Sequence, residues 1–179
     1  MKILYTCTYS RGPSGVWNRV YQLAQQMIKR GHEVHVISSE RVAGNKSERA
    51  AEYDIVNGIH LHRFPVISFG SDNAFLYRPW QLKKCLKEIM PDVVDCQTYR
   101  HHEGHVILKE CKKLGIRCVL TTHSPFARKR GRLLSLFVKL YDRFIGRYDL
   151  KKFDAVVYIL KSEESYLNNL VTTGKEGDR

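Results

Sequence analysis

Short apolar runs alternate with amphipathic helical stripes along nearly all of this chain, and few folds accommodate that alternation. Residues 1–6 read as a buried strand, and Val16, Trp17, Val20, Leu23, Ala24, Met27 and Ile28 follow at helical spacing as one face. Ser14 is placed to cap that helix and Gly31 to end it, which predicts a helix over roughly 15–30. Strands are expected over 33–38 and 59–63, the latter ended by Pro65 because proline cannot donate to a ladder. Leu82, Cys85, Leu86, Ile89 and Met90 form the next stripe, stopped before Pro91, with a strand over 92–97. Val106, Ile107, Cys111 and Leu114, then Gly115, repeat the unit. Strands over 117–122 and 155–160, a long helix over about 130–150 and a last helix capped by Ser162 complete the pattern. Residues 39–57 lack periodicity and read as a surface excursion, and the stretch up to Pro79 as an aromatic-rich loop. Strands and helices in this order imply right-handed crossovers, hence a Rossmann-like, doubly wound, mostly parallel α/β sheet with helices on both faces. Residues 1–179 form a single domain with no interior linker.

The bulk properties agree with a globular domain. A chain of 179 residues, 43% hydrophobic and 27% charged, buries enough surface to hold a core without metals or disulfides. The cysteines, Cys7, Cys85, Cys96, Cys111 and Cys118, form no CxxC pair and are expected as reduced thiols in the cytoplasm. Neither a hydrophobic leader nor an apolar run of membrane-spanning length is present. Thirty Lys and Arg against 18 Asp and Glu give a net charge of +12, which draws phosphates, nucleic acid or an anionic membrane surface.

In an open parallel sheet, ligands bind beyond the carboxyl ends of the strands. Three segments reach that position. Residues 8–14 set Gly12 and Gly15 around Pro13 and Ser14 before a helix, where free N–H groups and the helix dipole receive phosphate. They complete neither GxGxxG nor GxxxxGK[ST], so neither a dehydrogenase nor a P-loop ATPase is indicated, and a purely structural turn explains them as well. The stretch 121–125 places His123 between two hydroxyl residues at a strand end, suited to donate to phosphate or sugar oxygens or to act as acid or base near neutral pH. A satisfied strand-end histidine is the structural alternative. Residues 95–105 hold Asp95, Gln97, Tyr99, His101, His102, Glu103 and His105. HHEGH is out of register for HExxH, so no metal site is expected, although a metal hydrolase built on Asp95, His101, His102 and His105 is a rival reading. His60 and His62 share a strand face that solvation alone explains.

Residues 126–152 carry nine Lys or Arg against Asp142 and Asp149. Leu133, Phe137, Leu140, Tyr141, Phe144 and Tyr148 form one stripe, expected to pack on the sheet, with Arg132, Lys139, Arg143 and Arg147 nearly opposite. The cations face either solvent alone or an anionic membrane surface.

Taken together, MKILYTCTY, the run RGPSGVWNRVYQLAQQMIKRGHEVHVIS, the arginine and proline of HRFP, PDVVDCQ, the strand ending TTHS and FDAVVYILKSEESYL resemble, in that order, the N-terminal domain of retaining GT-B glycosyltransferases. The superfamily is that of glycogen synthase and phosphatidylinositol mannosyltransferase, family 4-like. The resemblance implies an acceptor-side domain, a separate C-terminal domain that binds the nucleotide sugar, and transfer in the cleft between them. It places Gly12, Ser14 and Gly15 at the donor diphosphate, His123 near the transferred sugar, and Gln97, Tyr99, His105 and Ser124 on the acceptor side. No cofactor and no metal are required, because fixed N–H groups stabilise the leaving diphosphate. The implied partners are a nucleoside-diphosphate sugar, a sugar or lipid-linked acceptor and the protein's own C-terminal domain, with no nucleic acid. The implied location is the cytoplasm, peripheral at the inner face of the membrane through the 130–150 helix. Departures are a single Gly15 where many relatives have two glycines, and Asp95 and Gln97 where many have histidines. Since the chain ends at Arg179 before a donor-binding domain, it is expected to be inactive by itself. The alternative is a noncatalytic basic module for nucleic acid or an anionic surface, although RNA-recognition signatures are missing.

Overall fold

The computed structural model describes residues 1–68, 75–123 and 132–172. Seven strands form one sheet: β1 (Lys2–Cys7), β2 (Glu33–Ser39), β5 (Tyr53–Val56), β6 (Ile59–Phe64), β9 (Val93–Gln97), β10 (Arg117–Thr121) and β11 (Ala155–Val157). Their order is β11-β10-β9-β1-β2-β6-β5, parallel throughout except that β5 runs antiparallel to β6 at the edge. The expected doubly wound Rossmann-like α/β fold is therefore present. Its order reverses between β1 and β9, the point at which such sheets open a crevice.

Helix α1 (Gly15–Lys29) covers one face. Ser14 Oγ accepts from the Trp17 N–H at 3.3 Å, and Gly31 at φ +80° closes the end by donating to Ile28 O at 2.9 Å. Val20 and Ala24 pack on Ile3, Tyr5, Val34, Val36, Ile59 and Leu61. On the other face, α2 (Pro79–Ile89) and α3 (His102–Leu114) bury Leu82, Leu86, Ile107 and Leu108 against Leu4, Ile37, Val94 and Leu120. All five cysteines are buried and unbridged.

Four expectations are corrected. Residues 39–57 are not irregular: β3 (Arg41–Val42) and β4 (Asn45–Arg49) make a hairpin, and β5 extends the main sheet. Strands this short show no period of their own; β5 takes its register from β6, and β3 and β4 from each other. In the aromatic-rich loop, β7 (Val66–Ser68) and β8 (Phe75–Tyr77) pair antiparallel, with Phe75 and Tyr77 buried. Ser162 lies inside α6 (Lys161–Thr172), and the cap is Glu163, whose Oε2 accepts from the Ile159 and Leu160 N–H groups at 3.1 and 3.3 Å.

The fourth correction concerns the basic helix, which runs as α4 (Arg132–Tyr141), a π-turn over Asp142–Gly146 and α5 (Arg147–Leu150). Its apolar stripe does not pack on the sheet: Phe137, Leu140, Phe144 and Tyr148 are exposed, at 67, 46, 69 and 46%. The buried face carries Asp142, Gly146 and Asp149 instead. Polar anchors decide the rotation. Asp142 accepts from Arg100 Nε at 2.7 Å and NH2 at 2.5 Å, from Tyr99 Oη at 3.1 Å and from Tyr166 Oη at 2.9 Å. Asp149 meets His105 Nδ1 at 2.7 Å. A Cβ on Gly146 would stand 2.0 Å from Tyr99 Oη, so only glycine allows that approach.

Candidate functional site

The crevice at the sheet reversal is bounded by the loop after β1, the start of α1, and the turns after β9 and β10. Each wall has a local cause. After β1, Ser39 Oγ donates to Thr8 O at 2.5 Å, Arg63 Nε donates to Ser10 Oγ at 2.8 Å, and Ala43 N donates to Arg11 O at 2.9 Å. These bonds tie the loop to the neighbouring strands. Gly12 at φ +83° lies so close to Ala43 that a Cβ would reach its carbonyl oxygen at 2.2 Å, so its glycine is required by packing. Gly15 differs: nothing lies within 4 Å of its missing Cβ. The Ser14 hydroxyl caps the helix by taking the Trp17 N–H, one of the first amides of α1.

After β10, His123 Nε2 donates to Gln97 Oε1 at 2.8 Å. Burial, helped by the charge of Arg19 on α1, pushes His123 down to about 4. That favours the neutral ring, and with Nε2–H engaged its Nδ1 is an acceptor. Gln97 is 1% exposed, and its Nε2 has no hydrogen-bond partner, although it stands near enough to Asp95 to favour the carboxylate. Asp95 accepts from Thr121 Oγ1 at 2.8 Å, while burial raises its carboxyl to about 6.

After β9 the chain turns through Thr98 and Arg100, both with positive φ (80° and 70°), which a β-branched residue such as Thr98 rarely adopts. That turn sets His101 Nδ1 3.2 Å from Thr8 Oγ1 and 3.4 Å from Glu103 Oε1. Glu103 is 1% exposed, and neither carboxylate oxygen has a hydrogen-bond partner.

Thus the structure unites His123 and Gln97, with Asp95, beneath α1. It turns Tyr99 and His105 toward Asp142 and Asp149, where they hold the basic helix. Ser124 lies outside the described residues. The four members of the metal-hydrolase reading take separate partners: Asp95 bonds Thr121, His101 bonds Thr8, His102 accepts from Tyr77 N at 3.2 Å, and His105 meets Asp149. Among the described residues, no group of three or more His, Cys, Asp or Glu is arranged to hold a metal ion. Sequence reasoning missed Arg19 and the Thr8–His101–Glu103 cluster. Arg19 lies on the polar side of an amphipathic helix, and only tertiary contact shows that its charge reaches both His123 and Asp95.

Residues 13–173 match the sequence profile of Glycosyltransferase Family 4. The chain belongs to this family. No curated protein sequence matches it. Among solved structures, sucrose-phosphate synthase from Thermosynechococcus elongatus superposes with a TM-score of 0.64 at 12% identity, over 96% of this chain and 45% of that one. MurG from Acinetobacter baumannii gives 0.51 at 11% identity, over 88% and 40%. UDP-GlcNAc 2-epimerase from Methanocaldococcus jannaschii gives 0.50 at 15%, over 98% and 43%. At these identities the likeness establishes the fold, a Rossmann-like α/β sheet of the kind these proteins contain. The family 4 chain thus spans less than half of each of these three structures.

Proposed function

We propose that this family 4 domain is the acceptor-side half of a retaining glycosyltransferase that moves a hexose from a nucleoside-diphosphate sugar to a sugar or lipid-linked acceptor. The observation that carries the reading is the meeting of two loops on one rim of the sheet: nothing lies within 4 Å of the missing Cβ of Gly15 at the start of α1, and His123 after β10, bonded to Gln97, feels the charge of Arg19 on that same helix. The backbone N–H groups at Gly15 and the positive end of α1 stabilise charge that develops on the departing diphosphate. That chemistry needs no metal and no cofactor. His123, fixed by Gln97, orients the transferred sugar by accepting a hydrogen bond from a sugar hydroxyl at Nδ1. The protein's own C-terminal domain supplies the remaining donor contacts, and the domain alone is inactive.

The exposed stripe of α4 and α5 supports a cytoplasmic protein peripheral to an anionic membrane surface. Phe137, Leu140, Phe144 and Tyr148 supply the apolar side, and Lys139 and Arg143 the cationic one. Among the described residues, no helix is long and apolar enough to cross a membrane.

The test is turnover of the full-length protein on a panel of UDP- and GDP-sugars, with the product anomer read by NMR. His123→Ala is expected to lower kcat/KM by about 100-fold, the scale of losing an oriented polar contact at the reacting centre. Unchanged turnover defeats the role of His123, and an inverted anomer defeats retention.

A further inference from the structure

A cavity of about 480 Å³ opens between α1 and the β5–β6 edge, lined among others by Arg11, Trp17, Asn18, Tyr21, Asp54 and Arg63. Its volume suits a small ligand rather than a polymer. None of these six residues contributes to the transfer chemistry above.

The lining has three chemical parts. Trp17 and Tyr21 meet edge to face, ring centroids 5.7 Å apart, and Tyr21 is held by Asn57, whose Nδ2 donates to Tyr21 Oη at 2.6 Å. Aromatic faces of this kind lie well against the C–H surface of a sugar ring. Asp54, half-exposed, and Asn18 offer partners for hydroxyl groups.

The cationic part is the most constrained. The Arg63 side chain is 3% exposed; besides Ser10 it donates through NH1 to Ala51 O at 2.9 Å, and NH2 stands 3.7 Å from Asp54. Arg11 reaches Glu48 at 3.0 Å through one nitrogen, and its other donors are open. The two guanidiniums are close enough that the charge of Arg11 opposes that of Arg63. Asp54 is the one carboxylate of the lining set against two guanidiniums. Glu48 on Arg11 and Asp54 on Arg63 each meet a single nitrogen of their guanidinium, and an anion gains charge-assisted hydrogen bonds from donors that those carboxylates do not take.

We infer that this cavity binds an anionic sugar, a single ring that bears a phosphate or a carboxylate. The ring lies on Trp17 and Tyr21, its hydroxyls meet Asp54 and Asn18, and its anion meets Arg11 and Arg63. The site uses neither His123 nor Gln97, and it borders the loop after β1, whose Gly12 also lines it.

Calorimetric titration of the full-length protein at low salt tests this, with hexose 6-phosphates (glucose, mannose) and hexuronates (glucuronate, galacturonate) against the parent hexoses and inorganic phosphate. At least one acidic sugar is expected to bind about tenfold tighter than its parent hexose and than inorganic phosphate, an advantage that shrinks as salt is added. Arg11→Gln and Trp17→Ala should each weaken that binding about tenfold, with the melting temperature unchanged in Arg11→Gln. His123→Ala should leave it intact. Equal binding of acidic and parent sugars, or inorganic phosphate binding as tightly as any sugar acid, overturns the inference without reference to any variant. So does binding that survives both Arg11→Gln and Trp17→Ala, or that is lost in His123→Ala.

Discussion

Three residues of this domain serve ends that their identities alone do not announce. Gly12 and Gly15 look alike in the loop after β1, yet one is demanded by a backbone 2.2 Å from its missing Cβ and the other faces open space. Gly12→Ala is therefore expected to cost more than about 1 kcal/mol in urea melts, since it combines a left-handed backbone with a collision. Gly15→Ala should leave the melts unchanged and weaken binding of UDP in the full-length protein. Asp142 is 2% exposed and accepts from Arg100, Tyr99 and Tyr166. Removing it strands a nearly buried guanidinium, so Asp142→Ala should lose about 3–5 kcal/mol of unfolding free energy.

At the scale of the element, the basic helix is the clearest case of two faces competing. Its apolar stripe and its stripe of Asp142, Gly146 and Asp149 both recur at helical spacing, and the second one packs. Ionic anchors win because Asp142 and Asp149 find fixed partners in the turn after β9 and on α3, whereas the aromatics of the other face are left exposed. Replacing both Phe137 and Phe144 with Ser should leave the melting temperature within a few degrees of the native value, since neither packs in the fold. The same change should abolish co-sedimentation with vesicles containing anionic lipid. A sharp drop in stability would mean that the stripe is part of the core.

At the scale of the whole molecule, buried histidines set the acid limit of stability. His62 and His123 are pushed down from 6.5 to about 4, chiefly by burial, and burial lowers His35 and His102 as well. Each binds its proton more readily in the unfolded chain, so its contribution is present above 6.5 and is lost as pH falls toward 4. Asp95, raised to about 6, acts in the opposite sense and gains as pH falls through that value, as does Asp149, whose carboxyl burial also raises. The four histidines outnumber the two carboxylates. Urea melts should therefore show stability falling between pH 6.5 and 4.5, by on the order of 1 kcal/mol each for His62 and His123. His62→Gln should flatten that fall.

The amino-acid sequence by itself determined the alternation of strands and helices, and with it the parallel sheet and the crevice. Periodicity and caps such as Ser14 and Gly31 are local properties, written within a few residues. It also brought Gln97 and His123 to adjacent strand ends, because parallel neighbours align their carboxyl termini. Only the tertiary structure decided which face of the basic helix is buried, that Tyr99 and His105 serve that helix rather than the crevice, and that Arg19 reaches His123. It also paired the short strands β3, β4, β5, β7 and β8. The burial of the basic helix and the reach of Arg19 rest on partners distant in sequence, such as Arg100 and Asp142, and a preference held between distant residues leaves no period in either segment, while the short strands pair with near neighbours but hold too few residues to show a period.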